Sequence, residues 1–274
     1  MLQVASALNG YAIEAEDGRL GTVSDLLFDD RTWTVRWLVV KAGSWLTGRE
    51  VLIHPQAIGP ADHGRRELSV SLTKAQIKDS PDVSQDRPVS QQMQNTLYDY
   101  YGWDPAWGAG MYGAGMYGGG LYGAGLFGGN VGTIASPLSA AAHPGGGALR
   151  GEERPGHGSD EGDPHLRSIT EVTGYHVHAA DGTIGHVEDF LIATATWGIH
   201  YLVVNTSNWW IGQHVLISPQ VVREVDWPDH SIRLNLARNQ VKASPLWNPS
   251  DEITGEFEKE AQGHYHWPGY GRQG

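Results

Sequence analysis

The sequence predicts a mainly β protein that contains two similar small β-barrels, each followed by a short helical tail. Three observations lead to this prediction. One stretch of sequence occurs twice, each copy alternates turn signals with strand-like runs, and the middle of the chain differs in composition. The expected boundaries are residues 1–104 for the first barrel and its aromatic tail, 105–165 for a glycine-rich linker, and 166–274 for the second barrel and its tail.

The repeat has a fixed offset of 164 positions. Residues 10–81 and 174–245 align without a gap and are identical at 27 of 72 positions. Unrelated chains of ordinary composition would share about four. The phrase DGRLGTVSDLLFD, which begins at Asp17, returns as DGTIGHVEDFLIA from Asp181, and VLIHPQ returns as VLISPQ. An internal duplication explains these matches.

Each copy has the pattern of short strands separated by turns. The pairs Asp17-Gly18 and Asp181-Gly182 predict tight hairpins, because glycine adopts positive φ without steric cost. In the strand that follows, strict alternation places Val23, Asp25 and Leu27 on one face. The runs VRWLVVKAG and IHYLVVNTS are apolar on both faces, which predicts strands covered on both sides.

The later part of each copy predicts further strands and one helical turn. RELSVSL and HSIRLNL alternate with period two, and TKAQIKDSP and ARNQVKASP follow as helical turns that end at Pro81 and Pro245. Five or six short strands favour a closed or nearly closed barrel, because closure removes exposed edges. We therefore expect each copy to enclose its own hydrophobic interior.

These residues resemble the PRC-barrel family, which is named after the photosynthetic reaction-centre H subunit and includes a domain of a ribosome-maturation factor. The resemblance rests on GYAIEAEDGRLGTVSDLLFD, RWLVVKAG, VLIHPQAI and the tail SPDVSQDRPVSQQMQNTLYDYYGW. It covers about 10–104 and 174–268. The first tail is similar to that of tandem, free-standing bacterial members, whereas the second has diverged to EITGEFEKEAQGHYHWPGY. The family implies a barrel fold but no shared catalytic motif.

The middle of the chain is a five-residue repeat, GAGMYGAGMYGGGLYGAGLF, at 108–127. A period of five fits neither a strand nor a helix, and residues 105–149 contain no Asp, Glu, Lys or Arg. We interpret it as a flexible spacer. Two alternatives are a weakly self-associating or membrane-touching segment and a helical hairpin.

Charge and composition exclude several classes of function. The net charge is -12, divided as −4, −3 and −5 over the three predicted segments, so none of them offers a basic surface to nucleic acid. Membrane contact is expected only as weak association. There is no cysteine, no apolar run long enough to span a membrane and no signal-peptide pattern, which predicts a cytoplasmic protein.

No catalytic, cofactor-binding or metal-binding residue is predicted. His176 and His178, and likewise His264 and His266, are spaced for one strand face, but neither pair has the third ligand that zinc needs. We interpret them as surface histidines, with metal binding as the alternative. Asp25 recurs as Asp189, and we expect a structural hydrogen-bonding role for both. The sequence also lacks a nucleophile motif.

Aromatic residues are the candidate interface. Trp45, Trp209 and Trp210 stand in predicted loops, and large aromatics in loops often anchor a partner. The tails contribute four further candidates, Tyr101, Trp103, Tyr265 and Trp267. The alternative is that these side chains cover the barrel ends or the opposite copy.

The predicted function is a non-enzymatic adaptor or assembly module for a protein partner that remains unidentified. The two barrels are expected to pair as an intramolecular pseudo-dimer. Two other hypotheses follow from the family resemblance: a factor associated with ribosome or RNA processing, and a protein associated with a membrane or photosynthetic complex.

Overall fold

The computed structural model describes residues 2–46, 48–81, 89–105, 162–206, 214–248 and 253–265. These residues form two β-sheets and a few short helices. The prediction of a mainly β fold with short helical tails is therefore confirmed. Most of the predicted linker, residues 106–161, lies outside the described residues.

The first sheet is built mainly from the first half of the chain. After β1 (Leu2–Val4), six strands follow: β2 (Ala12–Ala15), β3 (Gly18–Asp29), β4 (Thr34–Ala42), β5 (Glu50–Ile53), β6 (Ile58–Asp62) and β7 (Glu67–Val70). Their order in the sheet is β5-β4-β3-β2-β7-β6. Neighbouring strands are antiparallel except β2 and β7, which are parallel.

The second sheet repeats this arrangement. Its half of the chain contains β8 (Leu166–Ser168), β9 (His176–Ala179), β10 (Gly182–Ala193), β11 (Ile199–Asn205), β12 (His214–Ile217), β13 (Val222–Asp226), β14 (Ser231–Leu234) and β15 (Leu246–Trp247). The order is β13-β14-β9-β10-β11-β12-β15. Apart from β15, it equals the order of the first sheet, as a duplication requires.

Besides four short 3-10 helices, the described chain has five short α-helices: α1 (Lys74–Lys78), α2 (Gln91–Tyr101), α3 (Ile169–Val172), α4 (Arg238–Lys242) and α5 (Gly255–Tyr265). The tail helix α2 places Leu97 and Tyr98 on the first sheet, and α5 places Phe257 on the second. None of the helices in the described part of the chain is long and apolar enough to cross a membrane.

The two halves exchange one strand each. β1 pairs antiparallel with β10, with Leu2 opposite Ala193, and β8 pairs antiparallel with β3, with Leu166 opposite Asp29. The two pairings have the same register, displaced by 164 positions in both strands. The sheets therefore do not follow the sequence boundaries, because each half contributes its first strand to the sheet of the other.

The buried apolar residues form one cluster that spans both halves. Phe28 and Phe190, one from each long strand, are in contact with ring centroids 5.9 Å apart. We expected each copy to enclose a separate interior, but the structure has one core that both halves share. The reason is that the exchanged strands bring the inner faces of the two sheets together.

The face assignment along β3 differs from the strict alternation that the sequence suggested. The pairing of β3 with β4 shifts register between Val23 and Asp25 and again between Leu27 and Phe28. At the first shift β3 has an extra residue, Ser24, which reverses the side on which the following residues lie, whereas at the second shift the extra residue is Arg36 of β4. Val23 and Phe28 consequently point into the main core, whereas Leu27 packs on the opposite face beside α2.

Two glycines of the repeated phrase are required for different structural reasons. Gly18 has a φ of 110°, as the predicted hairpin requires. Gly21 is needed for a close approach, since a Cβ atom built there would lie 2.0 Å from the carbonyl oxygen of Lys41 on β4. The equivalent Gly185 meets the carbonyl oxygen of Asn205 at 1.9 Å in the same way.

We expect Gly21→Ala to lower the free energy of unfolding by about 3 kcal/mol, the upper end of the usual cost of overpacking, because a backbone carbonyl cannot rotate away as a side chain can. Urea unfolding measures this change. Gly43→Ala is the matched control, because its Cβ would lie 3.6 Å or more from its neighbours. Equal unfolding midpoints for the two variants would contradict this explanation.

Candidate protein-binding site at the seam

The seam between the halves, where the start of β4 meets the start of β11, has approximate two-fold symmetry. The backbone amide of Val35 donates to the carbonyl oxygen of Trp197 at 2.9 Å, and the amide of Ile199 donates to that of Trp33 at 2.7 Å. Each residue of the first bond is 164 positions from its counterpart in the second. The start of β4 is thus attached to the start of β11 by a reciprocal pair of hydrogen bonds.

Asp25 and Asp189 lie at the two ends of this seam and accept different bonds. Asp25 accepts from the backbone amide of Thr170 at 3.2 Å, from its hydroxyl at 2.8 Å and from the hydroxyl of Ser168. Asp189 accepts from the backbone amide of Ser6 at 3.1 Å. Both aspartates therefore hold the exchanged segment of the other half, and the Asp25 end has more bonds.

A cleft of about 420 Å³, the seam cleft, opens beside Asp25, on the face of the first sheet opposite the main core. Its walls come from β3, β4 and β5, from Val89 two residues before α2, and from the exchanged segment at 166–171. The apolar lining consists of Leu27, Val39, Leu52, Val89 and Leu166. Its charged lining consists of Asp25, Lys41, Glu50 and Glu171. An apolar floor with a few charged groups at the rim is typical of a binding site.

A second link across the seam is ionic. The carboxylate of Asp30 lies 2.9 Å from Nδ1 of His165 and 3.3 Å from Nε of Arg167. Burial raises the pKa of Asp30 and outweighs the opposing effect of those two neighbours. Cζ of Arg167 also lies 3.9 Å from the centroid of the Trp227 ring in the second half. His165, the last residue of the predicted linker, therefore contacts the first half, and Arg167 just after it contacts both halves.

The first aromatic tail folds back on its own sheet. The Trp103 ring stacks on Tyr101 at 4.1 Å and on His54 at 5.5 Å. On the sheet, Nε1 of Trp37 donates to Oε1 of Gln94 in α2 at 3.0 Å. Tyr101 and Trp103 are partly buried by these contacts, so the tail covers the first barrel, one of the two arrangements that the sequence left open.

The other candidate interface residues lie apart from the cleft or outside the described chain. Trp45 is partly buried, packs against the core, and its Nε1 donates to the carbonyl oxygen of Leu20 at 2.6 Å. Tyr265 is the last residue of α5. Outside the described residues lie Trp209, Trp210 and Trp267. The structure thus brings Tyr101 and Trp103 together and leaves Trp45 as a cover of its own barrel.

The histidine pairs are surface features where they are described. His176 is exposed, and Nδ1 of His178 lies 3.0 Å from the hydroxyl of Thr183. Nε2 of His264 lies 2.8 Å from a backbone carbonyl oxygen, and His266 is outside the described residues. Within the described ranges, no group of three or more histidine, aspartate or glutamate residues could hold a metal ion.

Sequence reasoning found Asp25 but missed the cleft around it. The remaining walls come from three strands and from a segment more than 100 positions later, and no local motif connects them. It also missed His54, which is fully buried. The signal that could have identified His54 is the difference between the copies, because the equivalent position in the second half is Ser218.

Comparison with known proteins agrees with the geometry of the first half. Residues 5–76 match the PRC-barrel domain family, so the chain contains a PRC-barrel domain there and the predicted resemblance is confirmed for the first copy. The chain is also 34% identical over 82 residues to an "Uncharacterized protein" of Deinococcus radiodurans. That match covers 28% of this chain and 28% of the relative, so the chain spans a little over a quarter of the relative's length.

His54 is a buried titratable group within the aromatic tail cluster. Its ring lies 5.3 Å from Trp37 and 5.4 Å from Tyr98, and Nδ1 accepts from the backbone amide of Gln56 at 3.3 Å. Burial, with a smaller contribution from the Arg36 charge, lowers the pKa of His54 from 6.5 to about 3. The folded protein therefore keeps this imidazole neutral at pH values where the unfolded chain would protonate it.

We expect stability to fall as the pH falls from about 6.5 towards 3, because the unfolded state binds a proton that the folded state does not. His54 alone should contribute a slope of about 1.4 kcal/mol per pH unit near pH 5. In His54→Asn, an amide oxygen can replace Nδ1 as acceptor, and the slope should fall by that amount. Urea unfolding at several pH values measures it; parallel curves for both proteins between pH 4 and 6 would contradict the assignment.

Proposed function

We propose that the protein is a non-enzymatic adaptor or assembly module that binds a protein partner at the seam cleft. The observation that carries the proposal is the cleft itself, which combines an apolar floor with a charged rim where strands of both halves meet. The PRC-barrel match supports a general interaction or assembly role. A cytoplasmic location is part of the same proposal.

The charge of the cleft favours a protein over nucleic acid as the partner. The rim contains one basic group, Lys41, and three acidic groups, Asp25, Glu50 and Glu171. Because phosphate attraction dominates affinity for nucleic acid, an acidic rim on a chain of net charge -12 disfavours that class. Among proteins, the same rim favours a basic partner surface.

We also propose that the two halves work as one intramolecular pseudo-dimer. The exchanged strands β1 and β8, the shared core and the Asp25 bonds support this arrangement. The cleft depends on it, since Leu166, Ser168 and Thr170 on its wall come from the second half. A first half that separated from the second would lose that wall.

A protease site inserted between Gly118 and Gly119 tests the pseudo-dimer. After cleavage, we expect the two fragments to sediment together with the mass of the intact chain, because each contributes a strand to the sheet of the other. Cleaved protein in urea is the control, and its fragments should separate. Fragments that sediment independently in native buffer would show that the halves are only tethered.

Blocking the cleft tests the proposed function. Ser24 lines the cleft from β3 and its hydroxyl donates to a backbone carbonyl of β4. We expect Ser24→Trp to fill the cleft and weaken binding of a purified partner at least tenfold by calorimetry. The partner is first identified by affinity capture with the intact wild-type chain and then purified.

Ser69→Trp is the matched control. Ser69 also lies on a strand of the first sheet, is exposed, and donates its hydroxyl to a backbone carbonyl, but it does not line the cleft. Wild type and Ser69→Trp should bind equally. If Ser24→Trp also binds equally, the cleft is not the interface, and Trp45 becomes the next surface to replace.

A further inference from the structure

The second half already contains a side chain at the place that corresponds to the cleft. Trp247 in β15 is 6% exposed and packs against Leu191, Val203 and Leu216. It reaches this position because β15 adds to the edge of β12, with Trp247 opposite His214. The indole therefore forms part of the folded second half.

The cleft in the first half has corresponding walls. Subtracting 164 from Leu191, Val203 and Leu216 gives Leu27, Val39 and Leu52, and all three line the cleft. The two remaining apolar walls also correspond. Val89 matches Ile253, and Leu166 of the exchanged strand matches Leu2; Ile253 and Leu2 pack in the Trp247 cluster.

The residue equivalent to Trp247 is not a tryptophan. The same offset leads to Val83, which lies outside the described residues. The chain thus has two equivalent apolar sites, and only the second has an indole at the matching sequence position. The walls that accept Trp247 in one half are suited by shape and chemistry to an indole in the other.

The rims of the two sites differ in their charged residues. Lys41, Glu50 and Glu171 of the cleft correspond by the offset to Asn205, His214 and Ala7, whereas Ser24 corresponds to Glu188. The first site therefore has one more cation and one more carboxylate than the second. The three carboxylates of the cleft favour basic residues next to the group that enters it.

We propose that the seam cleft binds a tryptophan side chain of a partner polypeptide, flanked by lysine or arginine. This inference rests on the proposed function and specifies what the partner presents. Tryptophan and arginine are common among the residues that dominate binding energy at protein interfaces, and they act best in pockets that exclude water. In the second half, Trp247 of the chain itself shows the same mode of packing.

The test uses a blocked peptide with one tryptophan between lysines, and the same peptide with alanine in place of tryptophan. We expect the tryptophan peptide to bind the full chain once, with amide chemical-shift changes at Leu27, Val39 and Leu52, and the alanine peptide to bind at least tenfold more weakly. Ser24→Trp should lose binding, and Ser69→Trp should retain it. Equal binding of both peptides, or shifts confined to other residues, would overturn the proposal.

Trp247→Val provides a reciprocal test, because it gives the second site the residue that the sequence has at Val83. Calorimetry should then give two peptides per chain, provided that circular dichroism shows a folded protein. A folded variant that still binds one peptide would contradict the equivalence of the two sites. If Trp247→Val does not fold, the Ser24→Trp and Ser69→Trp comparison decides the matter alone.

Failure of this inference is distinguishable from failure of the proposed function. If the peptide does not bind but the purified partner still binds wild type and not Ser24→Trp, the cleft is an interface that recognises another group. If the partner binds wild type and Ser24→Trp equally, the proposed interface itself is wrong. Peptide binding that Ser24→Trp does not weaken would also exclude the cleft as the tryptophan site.

Discussion

The long central strands, β3 and β10, each extend beyond the short strand that pairs with one of their edges, which is β2 in the first half and β9 in the second. β2 covers β3 only from Gly18 to Thr22, and the later part, from Leu27 to Asp29, is paired on that side by β8 of the other half. Unpaired backbone groups next to a buried core carry a large cost. Exchange of β1 and β8 removes this cost in both halves at once, and the shared core and the seam cleft follow from it.

The reciprocal backbone bonds of the seam leave the side chains around them free to diverge. The backbone bonds of Trp33 and Trp197 are the same in both directions, whereas Asp25 accepts two hydroxyl bonds that Asp189 lacks. His54 and Ser218 diverge in the same way, because each caps its own turn locally. The symmetric contacts maintain the architecture, and the asymmetric ones distinguish the two faces of the molecule.

Much of the fold could be predicted from the sequence, because strands and hairpins depend on local patterns. The Asp-Gly turns and the alternating RELSVSL strand are in place, with Leu68 and Val70 buried. The face of Leu27 was wrong because a bulge leaves no signature in a period-two pattern. β1 and β8 have three residues each, too few for any periodicity, so neither the exchange nor the cleft that depends on it could be predicted.

The chain carries two equivalent sites and fills the second with its own Trp247, which has a consequence for assembly. A symmetric pair of identical barrels would offer two equivalent clefts and would join two partners. In the proposed arrangement, Trp247 occupies one of the two equivalent sites, so within the described residues the other site is left to bind one partner segment. Such a chain ends an assembly or adds one component to it. The difference between Trp247 and Val83 would thus also set how many partner segments one chain binds.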